Sequence, residues 1–241
     1  MGCGMKQYEA VIEVMRRNGG WATLAHLYQN VFQVPGVKWG TKTPKASVRR
    51  IVQDERFFFK IRPGLWALKE CRDNVPFMEE ATSAKTKEKF THTYFQGLLV
   101  QLGNIRGFET HVPPQDSNKI FLDRPLADIV TVKECYAFGY DRFVRAAKTV
   151  DVTWFNSRKM PACFYEIEHT TDVGRSLEKF VELQDFMCEF IVICPQQRRR
   201  HIEDRLKWAA FEPVKGRVKV MDEERVPDLL ALVHPGCKCP Q

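Results

Sequence analysis

The 241-residue sequence contains no apolar run near the roughly 20 residues that a membrane-spanning helix needs. Its N-terminus also lacks the apolar core of a secretory signal, so the cytoplasm is the expected location and no membrane is expected as a partner. None of the eight cysteines stands in a Cys-x-x-Cys pair. Cys163, Cys188 and Cys194 lie in or near apolar runs and read as buried thiols, whereas Cys237 and Cys239, with His234 nearby, form either an exposed tail or a metal ligand set. Also missing is any excess charge beyond the first third. Residues 1–70 hold twelve lysines and arginines against five acids, and the remainder is balanced at 25 to 25, so the whole formal charge of +7 sits at the front. A basic front joined to a balanced rear suggests a polyanion binder attached to something that acts on the polyanion.

What is present is 44% hydrophobic and 28% charged, enough for one large domain or two ordinary ones. Tyr8, Val11, Ile12, Val14 and Met15 recur at helical spacing before Asn18-Gly19-Gly20, which predicts a first helix over 5–17. Trp21 is a short extended step, and 23–32 is a second helix. Thr43 can cap a third, with Pro44 at its first position and its end near Glu55. Phe57 to Ile61 and Leu65 to Leu68, separated by Arg62-Pro63-Gly64, read as a hairpin. Three helices and a hairpin make a winged helix-turn-helix. Lys42, Lys45, Arg49 and Arg50 fall on or beside its third helix and Lys60 and Arg62 on its wing, where contacts to double-stranded DNA are expected unless this is only a solvated basic face.

Residues 71–89 have the composition of a linker or a solvated helix, placing the domain boundary near residue 80. From Phe90 to Asn104 the pattern is helical, and 108–112 reads as a strand. Residues 113–118 form a loop, 123–129 are either a short helix or irregular, and 141–147 are helical. Then come an alternating strand over 149–155, a turn at 156–160 and a second strand leading to Glu166-Ile167-Glu168. A helix over 175–189 buries Leu177, Phe180, Val181, Leu183 and Met187. It is followed by an apolar strand at 190–194, an amphipathic segment at 197–210, a strand at 214–220 and a tail over 223–241. A sheet flanked by helices suits that order.

In a strand successive side chains alternate faces, so Glu166 and Glu168 project together while Tyr165 and Ile167 face the other way. On the preceding strand Val150, Val152 and Trp154 share one face and Asp151 and Thr153 the other. A hairpin through 156–160 brings Asp151 beside the two glutamates. Three converging carboxylates repel one another, and a hard divalent cation offsets the cost. That is the physical requirement of a Mg²⁺-dependent phosphodiesterase, with Mn²⁺ as a substitute.

Thr43-Pro44, Asp54, Phe58 or Phe59, and Gly64 to Leu68 resemble the HARE-type winged-helix domain, whose members are thought to recruit DNA-acting activities. Thr149 to Phe155, Phe164 to Thr171, and Phe180 to Phe186 resemble the PD-(D/E)xK restriction-endonuclease-like superfamily over roughly residues 90–222. That resemblance implies Asp151 and Glu166 as metal ligands, with the Ile167 carbonyl beside them. Glu168 occupies the lysine position, as in some restriction enzymes of this fold, and would accept a proton or hold a second metal. Arg175 and Lys179, one turn apart on the next helix, could restore the positive charge. His169 could bind phosphate, move protons or orient Glu168; Gln96 and Gln184 are weaker candidates. The expected protein is thus an α+β winged helix-turn-helix over 1–70, followed by an α/β restriction-endonuclease-like domain with a central mixed sheet over 90–222. The expected function is a Mg²⁺-dependent DNA endonuclease of restriction type, a homodimer being one way to cut both strands. The alternative is a non-catalytic DNA-binding regulator with a degenerate nuclease domain.

Overall fold

A computed structural model describes residues 5–75, 84–169 and 172–233. The chain divides into two compact units, Met1–Ser83 with Pro227–Gln241, and Ala84–Val226.

In the first unit α1 (Gln7–Arg17) buries Ala10, Val11, Val14 and Met15, the stripe that its spacing predicts. It stops at Asn18, because Gly19 and Gly20 both take positive φ. At Gly20 a Cβ would also lie 2.6 Å from the Cys71 sulfur. Next come β1 (Trp21–Thr23) and α2 (Leu24–Asn30), capped where Thr23 Oγ1 accepts from the His26 N–H at 3.2 Å. Then α3 (Pro44–Ile51) opens on proline as expected, but the Thr43 side chain caps nothing; only its carbonyl accepts, from Ser47. It also ends before the expected Glu55. The Asp54 carboxylate there accepts from the Arg56 main chain and guanidinium and turns the backbone away. Strands β2 (Phe58–Arg62) and β3 (Leu65–Leu68) form the hairpin, and the three strands make an antiparallel sheet in the order β1-β3-β2.

The second unit opens with α4 (Ala84–Ile105), which starts within the segment that reads as a linker. Strand β4 (Glu109–His111) follows. The segment left open by the sequence, 123–129, holds β6 (Arg124–Pro125), paired with β5 (Ile120–Phe121) just before it, and a 3-10 turn at Leu126–Asp128. After α5 (Asp141–Ala147) come β7 (Val152–Phe155), β8 (Pro161–Ile167), α6 (Gly174–Glu182), β9 (Glu189–Cys194), α7 (Arg199–Arg205) and β10 (Val218–Asp222). Among the described residues, the strands build a five-stranded mixed sheet in the order β10-β9-β8-β7-β4. The pairs β4-β7 and β7-β8 are antiparallel, and β8-β9 and β9-β10 are parallel. Phe190 to Cys194 is wholly buried, as befits a strand covered on both faces.

Helix α4 lies close against β7 because Gly103 faces it. A Cβ there would stand 2.7 Å from the Trp154 ring nitrogen, which donates to the Leu99 carbonyl at 3.2 Å. Leu177 and Phe180 of α6 and Ile202 of α7 share the other core with Phe164, Phe190 and Val192. Val150 belongs to this core too, contrary to its expected place beside Trp154. The strand begins only at Val152, and Val150 sits in the turn that closes α5, where alternation does not apply.

Three further boundaries differ from the sequence expectation. Helix α6 ends at Glu182, so Met187 is fully exposed rather than buried. The Arg217 guanidinium fixes this turn, donating to the Gln184 and Phe186 carbonyls and, at 3.1 Å, to that of Cys188. The expected 197–210 segment is a short α7 and a separate 3-10 turn at Ala209–Phe211, with Val214 packed in the core and β10 starting at Val218. Residues expected as a tail include α8 (Arg225–Val233). Cys163 and Cys194 are buried as expected and Cys188 is half-buried; Cys237, Cys239 and His234 lie outside the described residues. No described helix is long and apolar enough to cross a membrane.

Candidate active site

The β7-β8 register pairs Val152 with Tyr165 and Thr153 with Phe164, which sets Asp151 opposite Glu166 at the open end of the hairpin. The two are in contact. The Asp151 N–H donates to Glu166 Oε1 at 3.3 Å, and the Ile167 N–H donates to Asp151 Oδ2 at 2.7 Å. Glu168 follows β8, and its N–H still donates to the Ile193 carbonyl of β9 at 2.8 Å. Strand parity keeps the two glutamates together, and Ser176 Oγ bonds both, Glu166 Oε2 at 2.8 Å and Glu168 Oε1. Glu166 is 2% exposed and Glu168 8%.

One lysine answers the buried charge. Lys179 Nζ stands 2.8 and 2.9 Å from the two Glu166 oxygens and 2.8 Å from the Thr149 carbonyl. Arg175, the other basic residue weighed on this helix, is exposed and among the described residues reaches Asp172, at 4.0 Å. Ser176 is buried and Lys179 reaches Glu166, whereas Arg175, one turn before Lys179 on the same helix, is 86% exposed.

On the other side α4 presents His92 and Gln96, one turn apart. His92 Nε2 lies 3.0 Å from Asp151 Oδ2. Gln96 Nε2 donates to Asp116 Oδ2 at 2.7 Å and to the Asp151 carbonyl at 3.1 Å. His92, Asp116 and Asp151 offer ligand atoms that all lie within 4.8 Å of one another. His169 does not meet Glu168 in any of these contacts. Its Nε2 sits 2.7 Å from Glu223 Oε2, and its ring packs 5.9 Å from Phe95. Gln184 is remote in role, its carbonyl serving Arg217.

Burial opposes the charged form of Asp151, but His92, the Ile167 N–H and Lys179 outweigh it and hold the carboxyl below its usual range. Burial and the neighbouring Asp151 charge push Glu166 well above the carboxylate range, despite Lys179 and Ser176. Burial also works against a charged His92, and Asp151 reverses this, raising the imidazole. Two carboxylates forced apart in this way are a donor set that a divalent cation fits, since it would favour the charged form of both. The sequence missed Ser176, His92 and Asp116. Helical spacing links Ser176 to Lys179 and His92 to Gln96, but nothing in the sequence joins the loop residue Asp116 to this site.

The expected DNA-contacting residues lie in the first unit. Lys42, Arg50 and Lys60 are exposed and Arg62 is half-buried beside a β-bulge. Lys45 lies over the Tyr28 ring at 5.7 Å, and Arg49 is held by Asp228 of α8 at 2.5 and 3.2 Å. Arg49 is therefore already paired, unlike the open basic position that its sequence context suggests.

The carboxylates Asp151, Glu166 and Glu168 thus gather at one end of the β7-β8 pair of a mixed sheet. Residues 74–235 match the family model of the Type II restriction enzyme NmeDI C-terminal domain, and the chain belongs to that family. A curated relative, the Type II restriction enzyme NmeDI of Neisseria meningitidis serogroup C, is 26% identical over 144 residues, which cover 58% of this chain and 37% of that protein. The chain thus spans well under two thirds of the relative's length. No solved structure matches.

Proposed function

We propose that the chain is a metal-dependent DNA endonuclease of restriction type, with a PD-(D/E)xK-like second unit and a winged-helix first unit that holds duplex DNA. The observation that carries this reading is the ammonium of Lys179 on Glu166. It restores a lysine to the cluster from α6, where Glu168 has taken its usual strand position. Asp151 and Glu166, with the Ile167 carbonyl, bind the cation. When bound, Mg²⁺ or Mn²⁺ supplies a Lewis acid and a more acidic water. Lys179 orients Glu166 and brings positive charge to the reacting end of the strands. Glu168, tied to Glu166 through Ser176, accepts a proton or holds a second ion. Lys42, Lys45, Arg50, Lys60 and Arg62 contact phosphates, Arg49 joining them only where Asp228 releases it. A homodimer supplies two such sites for the two strands.

Incubating supercoiled plasmid with the purified protein in Mg²⁺, Mn²⁺ or EDTA tests the proposal. Nicking or linearisation is expected with either ion, none in EDTA and none for folded Asp151→Asn. Cutting by Asp151→Asn at the parent rate would place the chemistry elsewhere, and a parent that binds DNA without cutting in any ion would be a regulator.

A further inference from the structure

The nuclease proposal uses the α6 side of Asp151 and leaves the α4 side unexplained. His92, Asp116 and Asp151 come from a helix, a 3-10 turn and the start of a hairpin, and the chain brings their ligand atoms within 4.8 Å of one another. Gln96 lies among them, completely buried. Its amide nitrogen is spent on Asp116 and the Asp151 carbonyl, while its Oε1 has no hydrogen-bond partner among the described residues. A buried carbonyl oxygen without a donor is costly, so the fold gives up stability to keep one on the amide that binds Asp116. A bound cation would be the missing partner.

We propose that His92, Asp116 and Asp151, with the Gln96 amide oxygen, form a second cation site, and that its imidazole selects a transition-metal ion such as Mn²⁺ over Mg²⁺. Oxygen donors alone suit Mg²⁺ and Ca²⁺; an imidazole donor adds preference for first-row transition ions over Mg²⁺, and Mn²⁺, the weakest binder of that series, is the paramagnetic probe among them. The ion takes the place of the proton shared by His92 Nε2 and Asp151 Oδ2, which are 3.0 Å apart. Donors about 2.1 Å from an ion stand at most about 4.2 Å apart, so the cluster closes by roughly half an ångström on binding. Lys119 Nζ, now 2.5 Å from Asp116 Oδ1, supplies the local positive charge; its side chain is 39% exposed and can swing into solvent as the ion enters. Asp151 is common to both sites, so an ion here sits beside the proposed catalytic one. Any role in cleavage rests on the nuclease reading, whereas occupancy does not.

The test is a titration of the full chain with Mn²⁺ alone, free ion being read by electron paramagnetic resonance and the bound ion by its coupling to ligand nitrogen. The parent is expected to show imidazole nitrogen coupling and to bind Mn²⁺ more tightly than Mg²⁺. His92→Gln should lose the coupling and weaken Mn²⁺ binding by at least the roughly 10–100-fold that even outer-shell losses cost. Glu166→Gln should keep the coupling. A folded parent with no nitrogen coupling, or a His92→Gln variant that retains it, overturns the site, and this parent measurement decides the matter if His92→Gln does not fold. Nitrogen coupling in a parent that cuts no DNA supports the site while overturning the nuclease reading. Cutting without nitrogen coupling does the reverse.

Discussion

Two helices in this protein carry basic side chains where the sequence leads one to expect anion chemistry, and they use them differently. On α3, Lys45 lies over Tyr28 and Arg49 meets the half-exposed Asp228, so both charges stay near water. On α6, Lys179 reaches the buried Glu166 carboxylate, while Arg175, 86% exposed, lies 4.0 Å from the exposed Asp172. Identical residue types at helical spacing thus differ in worth because of what stands opposite. An exposed pair contributes about 0.2–1 kcal/mol, whereas removing one partner of a buried pair costs about 3–5 kcal/mol.

The largest effect is expected at Glu168, the carboxylate tied to the α6 end through Ser176. Glu168→Gln keeps the size and removes the charge, and cleavage should fall by roughly 10²–10⁴-fold in single-turnover assays with little change in DNA affinity. An undiminished rate would leave Lys179 and Glu166 as the working pair and Glu168 as a spectator. Next in size, Lys179→Ala should lower unfolding stability in urea by up to about 3–5 kcal/mol, protonation of Glu166 easing part of it, while Arg175→Ala stays within about 0.5 kcal/mol. Equal losses at the two positions would erase the distinction drawn between them. The smallest effects belong to α3. Lys45→Ala and Arg50→Ala should each reduce the salt slope of DNA binding by up to about one counterion unit, and Arg49→Ala by less because Asp228 already holds it. A larger change at Arg49 than at Arg50 would mean that the ion pair opens on DNA.

The strand-borne half of the candidate site was legible because period two is simple: once Glu166 and Glu168 share a face, only a hairpin of the right length is needed to add Asp151. Lys179 was legible as one of two basic residues, but choosing between it and Arg175 needed the angle at which α6 packs. His92 and Asp116 were not legible. They approach Asp151 from outside the strand pair, one on a helix whose start reads as a linker and one in a loop after β4, and no local pattern records that meeting. The end of α6 escaped for the same reason. Its apolar residues continue at helical spacing past Glu182, and what stops the helix is an arginine at position 217.

That arginine makes the edge of the sheet answerable for its middle. The carbonyls of residues 184, 186 and 188 all accept from Arg217, where the chain returns toward β10, and that of Phe186 also accepts from the Cys188 N–H at 2.9 Å. Carbonyls withdrawn from water must be paired somewhere. The exit of α6, and through it the seat of Ser176 and Lys179, is held from the far margin of the fold. A lesion in β10 would therefore loosen the carboxylate cluster without touching any residue in it.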